Sequence, residues 1–434
     1  MKRHIRWTVA ALAAAALAVT GCSAGSTASP STGASAGGDT AAPAEQVTIT
    51  FWGSYGNGGN SSQQDVLNKT LIPSFEASHP GIKVEYVDVP YDDLLQKLTT
   101  SAAADELPDL VRADLGWVPR FADLGVLVPL SDVMPDFQEL ADATFPGVLA
   151  TNLFEGKYYG LPLDTNTRVL ITNPEVLAKA GLDAPPATFE EFVAFGRALK
   201  GSDVNLFADG GLGAWNIMPW IWSGGGDITD PELTTSTGVL DSDANVATVQ
   251  MLVDLYSDGL VSSGIIGNEG AVSTSEGLPN GNYATILDGP WMSGIWADQF
   301  PGFEPIYSPV PAGPGGSVSV VGGEDIVLTA ASKNQEAALE FIRFTQSDEF
   351  QLALVPTGQL TVIKALGDEQ VKLVPGLEIF TEQLGTAKNR LAITKGSEVD
   401  AILSEELTPA FEGTIGVREA LAKAAARIDE LLVG

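Results

Sequence analysis

Val47-Thr-Ile-Thr-Phe-Trp52 alternates polar with β-branched and aromatic residues, and Gly53-Ser-Tyr-Gly-Asn-Gly-Gly59 follows it. A period of two reads as a half-buried strand, and the glycine-rich run as the loop it empties into. Working outward, the pattern repeats. Gln63 to Ser78 sets Val66, Leu67, Leu71 and Phe75 on one helical stripe, and Ile82-Lys-Val-Glu-Tyr-Val-Asp-Val89 alternates again. Tyr91 to Ala104 is helical through Leu94, Leu95 and Leu98, Asp109-Leu-Val-Arg-Ala113 is a short strand, and Trp117 to Leu124 a short helix. Thr188-Phe-Glu-Glu191 reads as a capping box opening a helix through Phe192, Phe195 and Leu199. Asn245 to Tyr256, Asn334 to Phe350 and Val417 to Leu432 are further amphipathic helices. Strands alternating with helices of this length predict an α/β fold with largely parallel sheets. No internal repeat points to a solenoid.

From Val47 to Gly434 the chain is longer than one hydrophobic core can usefully fill, so two lobes are expected. The formal net charge is −32. A field of that sign repels nucleic acid and anionic head groups, and it disfavours anionic substrates. There are two histidines, His4 and His79. His79 sits in the turn sequence Ser78-His79-Pro80-Gly81, which suits a solvated side chain better than a catalytic one. That removes most zinc chemistry and every histidine-dependent nucleophile not centred on His79. No Walker A loop, His-Glu-x-x-His, EF-hand series or Gly-x-Ser-x-Gly is present.

At the N-terminus, Lys2, Arg3 and Arg6 precede an apolar run from Trp7 to Val19 that ends at Gly21-Cys22. A basic start, a short apolar stretch and small residues make the layout of a secretory leader. The run is too short to span roughly 30 Å of hydrocarbon comfortably. The ending resembles a bacterial lipobox, which implies a signal peptide over 1–21 and lipidation of Cys22. Cys22 is the single cysteine, so no intrachain disulfide explains it. Residues 22–46, rich in Ser, Thr, Ala, Gly and Pro, read as a flexible tether with a reach of roughly 25–30 Å. The expected address is the outer face of the cell membrane.

Ligands of α/β sheets bind where loops converge at the carboxyl ends of strands. Here those loops hold aromatic residues: Trp52 and Tyr55 after the first strand, Trp215, Trp220 and Trp222 in a Gly-rich segment, and Trp291 after Asp288-Gly-Pro. Indole faces suit the C–H faces of sugar rings, and neighbouring carboxylates and amides suit hydroxyl pairs. The competing reading makes tryptophans core anchors. Trp220 and Trp222, two apart in an apolar stretch, are expected to include at least one core residue.

Several segments taken in order resemble the substrate-binding proteins of ABC importers, in the carbohydrate-binding group typified by the maltodextrin-binding protein. They are Ile49-Thr-Phe-Trp52, Phe75 to Val84, Leu107-Pro-Asp-Leu-Val111, Tyr159-Gly-Leu-Pro162 with Leu170-Ile-Thr-Asn173, Asp288-Gly-Pro-Trp291, and Pro309-Val-Pro311 leading into Gly322-Gly323. The resemblance implies a two-lobe periplasmic-binding-protein-like α/β fold with hinge strands and a ligand cleft between the lobes. The first lobe would comprise 47–165 with 325–370, the second 166–324 with 371–434.

By the same resemblance, Trp291 is a stacking platform, and Trp215 with Asn216 supplies another aromatic platform and a polar group in the second lobe. Arg112 and Asp114 bind sugar hydroxyls from the first lobe. Asp164 and Asn166 lie at one hinge crossing; Gly322, Gly323 and Glu324 mark the other. Trp52 and Tyr55 fit the mouth of the first lobe, and Arg390 joins from the C-terminal region. Met218 stands where the maltodextrin type has a bulky aromatic, so the platform set differs. The function implied is capture of a neutral carbohydrate, an oligosaccharide, by lobe closure and delivery to ABC permease subunits. The protein is then a lipid-anchored monomer and not an enzyme, with no cofactor, metal or nucleic-acid partner. One alternative is a secreted glycoside hydrolase with a carboxyl pair drawn from Asp114, Asp164, Asp288 and Glu324. Another is a cell-surface lipoprotein without a ligand.

Overall fold

Ile49 and Phe51 are fully buried while Thr48 is exposed and Thr50 half-buried, so the alternation of the opening run becomes a strand with one face in a core. This strand, β1 (Val47–Gly53), belongs to a computed structural model that describes residues 46–56, 61–391 and 393–433. The expected leader, Cys22, and the tether up to residue 45 lie outside the described residues, as do residues 57–60 of the loop after β1.

Two sheets organise residues 46–433. The first contains β1, β2 (Ile82–Asp88), β3 (Leu110–Asp114), β6 (Gly160–Thr167) and β11 (Val321–Leu328), in the order β2-β1-β3-β11-β6. The second contains β7 (Val169–Thr172), β8 (Asn205–Ala208), β9 (Tyr283–Asp288) and β10 (Ile306–Ser308), in the order β10-β7-β9-β8. A small hairpin pairs β4 (Leu153–Phe154) with β5 (Lys157–Tyr158). Each large sheet carries apolar clusters on both faces. Phe51, Phe75 and Phe341 fill one side of the first, and Leu94, Val111 and Phe121 the other. Phe192, Phe207 and Trp220 fill one side of the second, and Ile171, Ile286 and Trp296 the other.

The sheets are mixed, not largely parallel. β1 runs parallel to β2 and β3, but β11 is antiparallel to both β3 and β6. In the second sheet β8 and β9 are parallel, while β7 is antiparallel to β9 and β10. In the first sheet the cause is β11, which returns after the second sheet has been built and enters between β3 and β6 running the other way. Only Arg168 separates β6 in the first sheet from β7 in the second. β6 and β11, paired from Val321↔Thr167 to Val327↔Gly160, are thus the crossing between the two sheets.

Local departures have local causes. The helix over Ser61–Ser78 contains a π-turn at Leu67–Leu71 just before Pro73, which has no N–H to continue the regular ladder. The helix expected over 334–350 breaks into Gln335–Thr345 and Asp348–Leu354, because the Ser347 hydroxyl caps the second piece by accepting the Phe350 N–H. Thr188 does cap Phe189–Leu199 by accepting the Glu191 N–H. The Glu191 carboxylate returns to the Ala187 N–H, one residue before the position a capping box uses. Trp220 and Trp222 are both buried, and Met218 is fully buried in the same cluster, so it is a core residue and not a cleft position. Among the described residues, no helix is long and apolar enough to cross a membrane.

Candidate functional site

A cleft of about 570 Å³ opens at the β6/β11 crossing. Ten residues expected there from sequence line it: Arg112, Asp114, Asn166, Trp215, Asn216, Trp291, Gly322, Gly323, Glu324 and Arg390. Asp164 lies just behind the wall, and Trp52 and Tyr55 lie outside it. The Trp52 ring is half-buried under the ammonium of Lys97, 4.2 Å from its centroid. Tyr55 folds back beneath the sheet, fully buried against Phe51 and Tyr86.

The floor is built by register. Asp164 faces Glu324 across β6 and β11, and Asn166 faces Gly322. From the neighbouring strand β3, the Arg112 guanidinium donates from one Nη2 to Glu324 Oε2 at 2.8 Å and to Asp164 Oδ2 at 3.2 Å. Its Nη1 donates to the Ser54 hydroxyl, and its Cζ lies 4.4 Å from the Tyr55 ring centroid. Arg112 and Asp164 are almost completely buried. Two carboxyls share one cation here, so the second is most stable carrying a proton. Burial, followed by the nearby Asp164 charge, pushes the Glu324 carboxyl well above its usual range against the pull of Arg112. Gly323 has φ +129°, and a Cβ on it would stand 2.4 Å from the Asp164 carbonyl oxygen, so the crossing needs glycine there.

The walls come from both sheets. Trp215 and Asn216 lie in the first turn of the helix Ala214–Ser223, the platform helix. Trp291 directly precedes the helix Met292–Gln299. The two indoles are half-buried, with centroids 6.2 Å apart and planes inclined by 29°. A sugar ring cannot fit between planes that close, so the pair makes one continuous aromatic wall. Behind it, Arg168 is anchored by Asp209 and by the carbonyls of Trp215 and Leu287. Asn216 donates to the same Asp209 carboxylate. Asp288, beside the wall, is pushed up to about 6 by burial, with Arg168 opposing.

Opposite, Asp114 at the end of β3 accepts from the Tyr91 hydroxyl at 2.6 Å, the Gly116 N–H at 2.8 Å and Arg390 Nη2 at 2.7 Å. Arg390 reaches it from a segment whose next residues, Leu391 and Ile393, pack on the second sheet's cluster. The guanidinium lies 5.7 Å from the Trp215 centroid. Asn166 donates to Gln359 and keeps a buried Oδ1 without a donor, while Arg390 keeps a buried Nε without an acceptor. A surface with both unmet donors and unmet acceptors suits groups that do both, as hydroxyls do.

Sequence reasoning missed Tyr91, Gln359, Asp400 and the Gly210-Gly211 turn, all of which line the cleft. Tyr91 carried a signal, since it follows the carboxyl end of β2 after a single Val-Pro step. Asp400 also carried one, as an acid beside Val399 on the apolar side of a helix. Gln359 and the glycine pair had none. Among the described residues, no group of three or more His, Cys, Asp or Glu side chains is arranged to hold a metal ion.

The family described as bacterial extracellular solute-binding protein matches residues 52–352. A putative binding protein of Brucella abortus is 26% identical over 359 residues, 76% of this chain and 86% of that one. The galactooligosaccharide-binding protein of Bacillus subtilis is 24% identical over 368 residues, 82% of this chain and 84% of that one. Among solved structures, the GacH receptor of Streptomyces glaucescens, determined unliganded and with acarbose, superposes with a TM-score of 0.77. It is 24% identical, with 89% of this chain and 99% of that one covered.

Proposed function

Because the chain belongs to the bacterial extracellular solute-binding protein family, we propose that its solute is a carbohydrate, an oligosaccharide that is neutral overall, handed on to the permease subunits of an ABC importer. The observation that carries this is the paired wall of Trp215 and Trp291 facing Asp114, Glu324 and Arg390 across one cleft. Indoles take the C–H face of a sugar, and the opposite wall takes its hydroxyls. The galactooligosaccharide and acarbose named for the two similar proteins fit that chemistry.

The capture mechanism follows from where the walls are attached. Trp215, Asn216 and Trp291 ride with the second sheet, while Arg112 and Asp114 end a strand of the first. A solute touching both favours the arrangement in which they are close, and so shifts the population toward closure. Bending falls on β6 and β11, with lobes of 47–165 plus 325–370 and 166–324 plus 371–434. The site residues are Arg112, Asp114, Asp164, Asn166, Trp215, Asn216, Trp291, Gly323, Glu324 and Arg390, with Trp52 and Tyr55 supporting the first lobe's rim from outside the cleft. Lipidated Cys22 and the tether hold a monomer near its permease, where a short linker raises local concentration.

A hydrolase needs two carboxyls that flank the scissile bond. Asp164, only 2% exposed and bonded to Arg112, cannot reach one. The test is a thermal-shift screen of the tether-free body against mono- and oligosaccharides. A binding sugar stabilises by about 2.7 kcal/mol at a hundredfold excess over Kd. If no carbohydrate shifts the transition, the assignment fails, and released product in the same tubes would restore the hydrolase.

A further inference from the structure

Asp400 lines the cleft, although it lies on the helix Gly396–Phe411 near the end of the chain. Its Oδ1 accepts the N–H of Ala214 at 2.7 Å. Ala214 opens the platform helix, whose own N-cap residue, Gly213, has no side chain to offer. Helix starts expose donors and a partial positive charge, and an oxygen acceptor placed there orders the first turn. The next two residues after Ala214 are Trp215 and Asn216, both in the cleft wall.

On its other side Asp400 meets Arg390 across a cavity of about 30 Å³ lined also by Asp114, Gly116 and Trp117. That is room for about one water. Arg390 crosses to Asp114 and lies beside the Trp215 ring. One carboxylate therefore touches the start of the platform helix and faces the cation that spans the cleft.

We propose that Asp400 is a positioning residue for solute capture. It caps the platform helix from a different helix and so fixes the Trp215 indole in the wall. The importance of that wall rests on the carbohydrate reading; the positioning does not, so its test runs without any solute.

The test compares the full chain carrying Asp400→Ala or Asp400→Asn with the wild type by tryptophan emission and acrylamide quenching, with far-UV circular dichroism as the folding control. Asp400→Ala is expected to shift emission to the red and raise quenching. Asp400→Asn should restore both, since an amide oxygen can accept the same N–H. In a Trp215→Phe background the Asp400→Ala shift should vanish. Should Asp400→Ala fail to fold, the double variant Gly213→Ser/Asp400→Ala supplies a local cap and should recover both fold and emission. Wild-type emission in Asp400→Ala, a shift that survives Trp215→Phe, or failure of both rescues overturns the proposal. None of these results bears on whether a sugar binds.

Discussion

Gly322 on β11 lies under the Trp215 indole: a methyl at its Cα would stand 2.6 Å from Trp215 Cη2 and 2.2 Å from Asn166 Oδ1. The crossing strand is therefore also the shelf on which the aromatic wall rests. Gly322→Ala should push the indole outward at an overpacking cost of ~1–3 kcal/mol, taken from solute affinity. Calorimetry with the sugar found by the thermal screen checks it, and an unchanged Kd contradicts the shelf.

Trp291 forms the second half of the wall and is only half-buried at the start of its helix, packed at the margin of the cluster behind it. Trp291→Ala should weaken sugar binding by ~2–4 kcal/mol and leave the fold intact. Equal affinities for variant and wild type would remove Trp291 from the platform.

Asp114 ends β3 of the first sheet and pairs with Arg390, whose segment packs on the second sheet's cluster, and the neighbouring Asn389 donates to the Gly147 carbonyl. Arg390→Gln removes the cation from a largely buried pair, so the sugar-free protein should adopt a larger radius of gyration in small-angle scattering. A radius identical to wild type means the pair does not restrain the lobes.

Asp325, next to Glu324, is buried and accepts from Asn152 and Thr151. Burial pushes its carboxyl up to about 8. A carboxyl raised on folding binds more protons in the native state than in the unfolded one. Its stabilising contribution is complete below the ordinary carboxylate range and fades as pH climbs toward 8. Between pH 5 and 8, wild type should lose stability relative to Asp325→Asn by up to about 1.4 kcal/mol per pH unit, read from urea midpoints. Parallel curves for the two proteins would rule the titration out.

Cys22→Ser should leave sugar affinity unchanged and move the protein from the membrane fraction to the medium. Immunoblots of both fractions decide it; continued membrane association defeats lipid anchoring at Cys22.

The segments that read most clearly from sequence are those whose burial follows one period. Tyr91–Ala104 and Val417–Leu432 are helical over the residues their apolar patterns predict. Strand direction was not legible, because nothing local in Val321–Leu328 records that it enters between β3 and β6. In the cleft, Trp215 and Trp291 could be found since large aromatics beside glycine or proline stand out. Tyr55 misled for the same reason: its ring turns under Phe51 instead of toward solvent. Gln359 reaches the cleft from an irregular stretch far along the chain, and its role exists only in three dimensions, so a one-dimensional pattern holds no trace of it.

The placement of β11 inside the first sheet also sets a clock. β6 is made early, but its partner strand begins at Val321, after the whole second sheet. At about 5–20 residues per second, the ribosome needs roughly 8–30 s to supply it. Through that interval β6 has an open edge and the first sheet is incomplete. A nascent chain in this condition is held loose by its own topology, long enough for a secretion machine that threads extended polypeptide to take it.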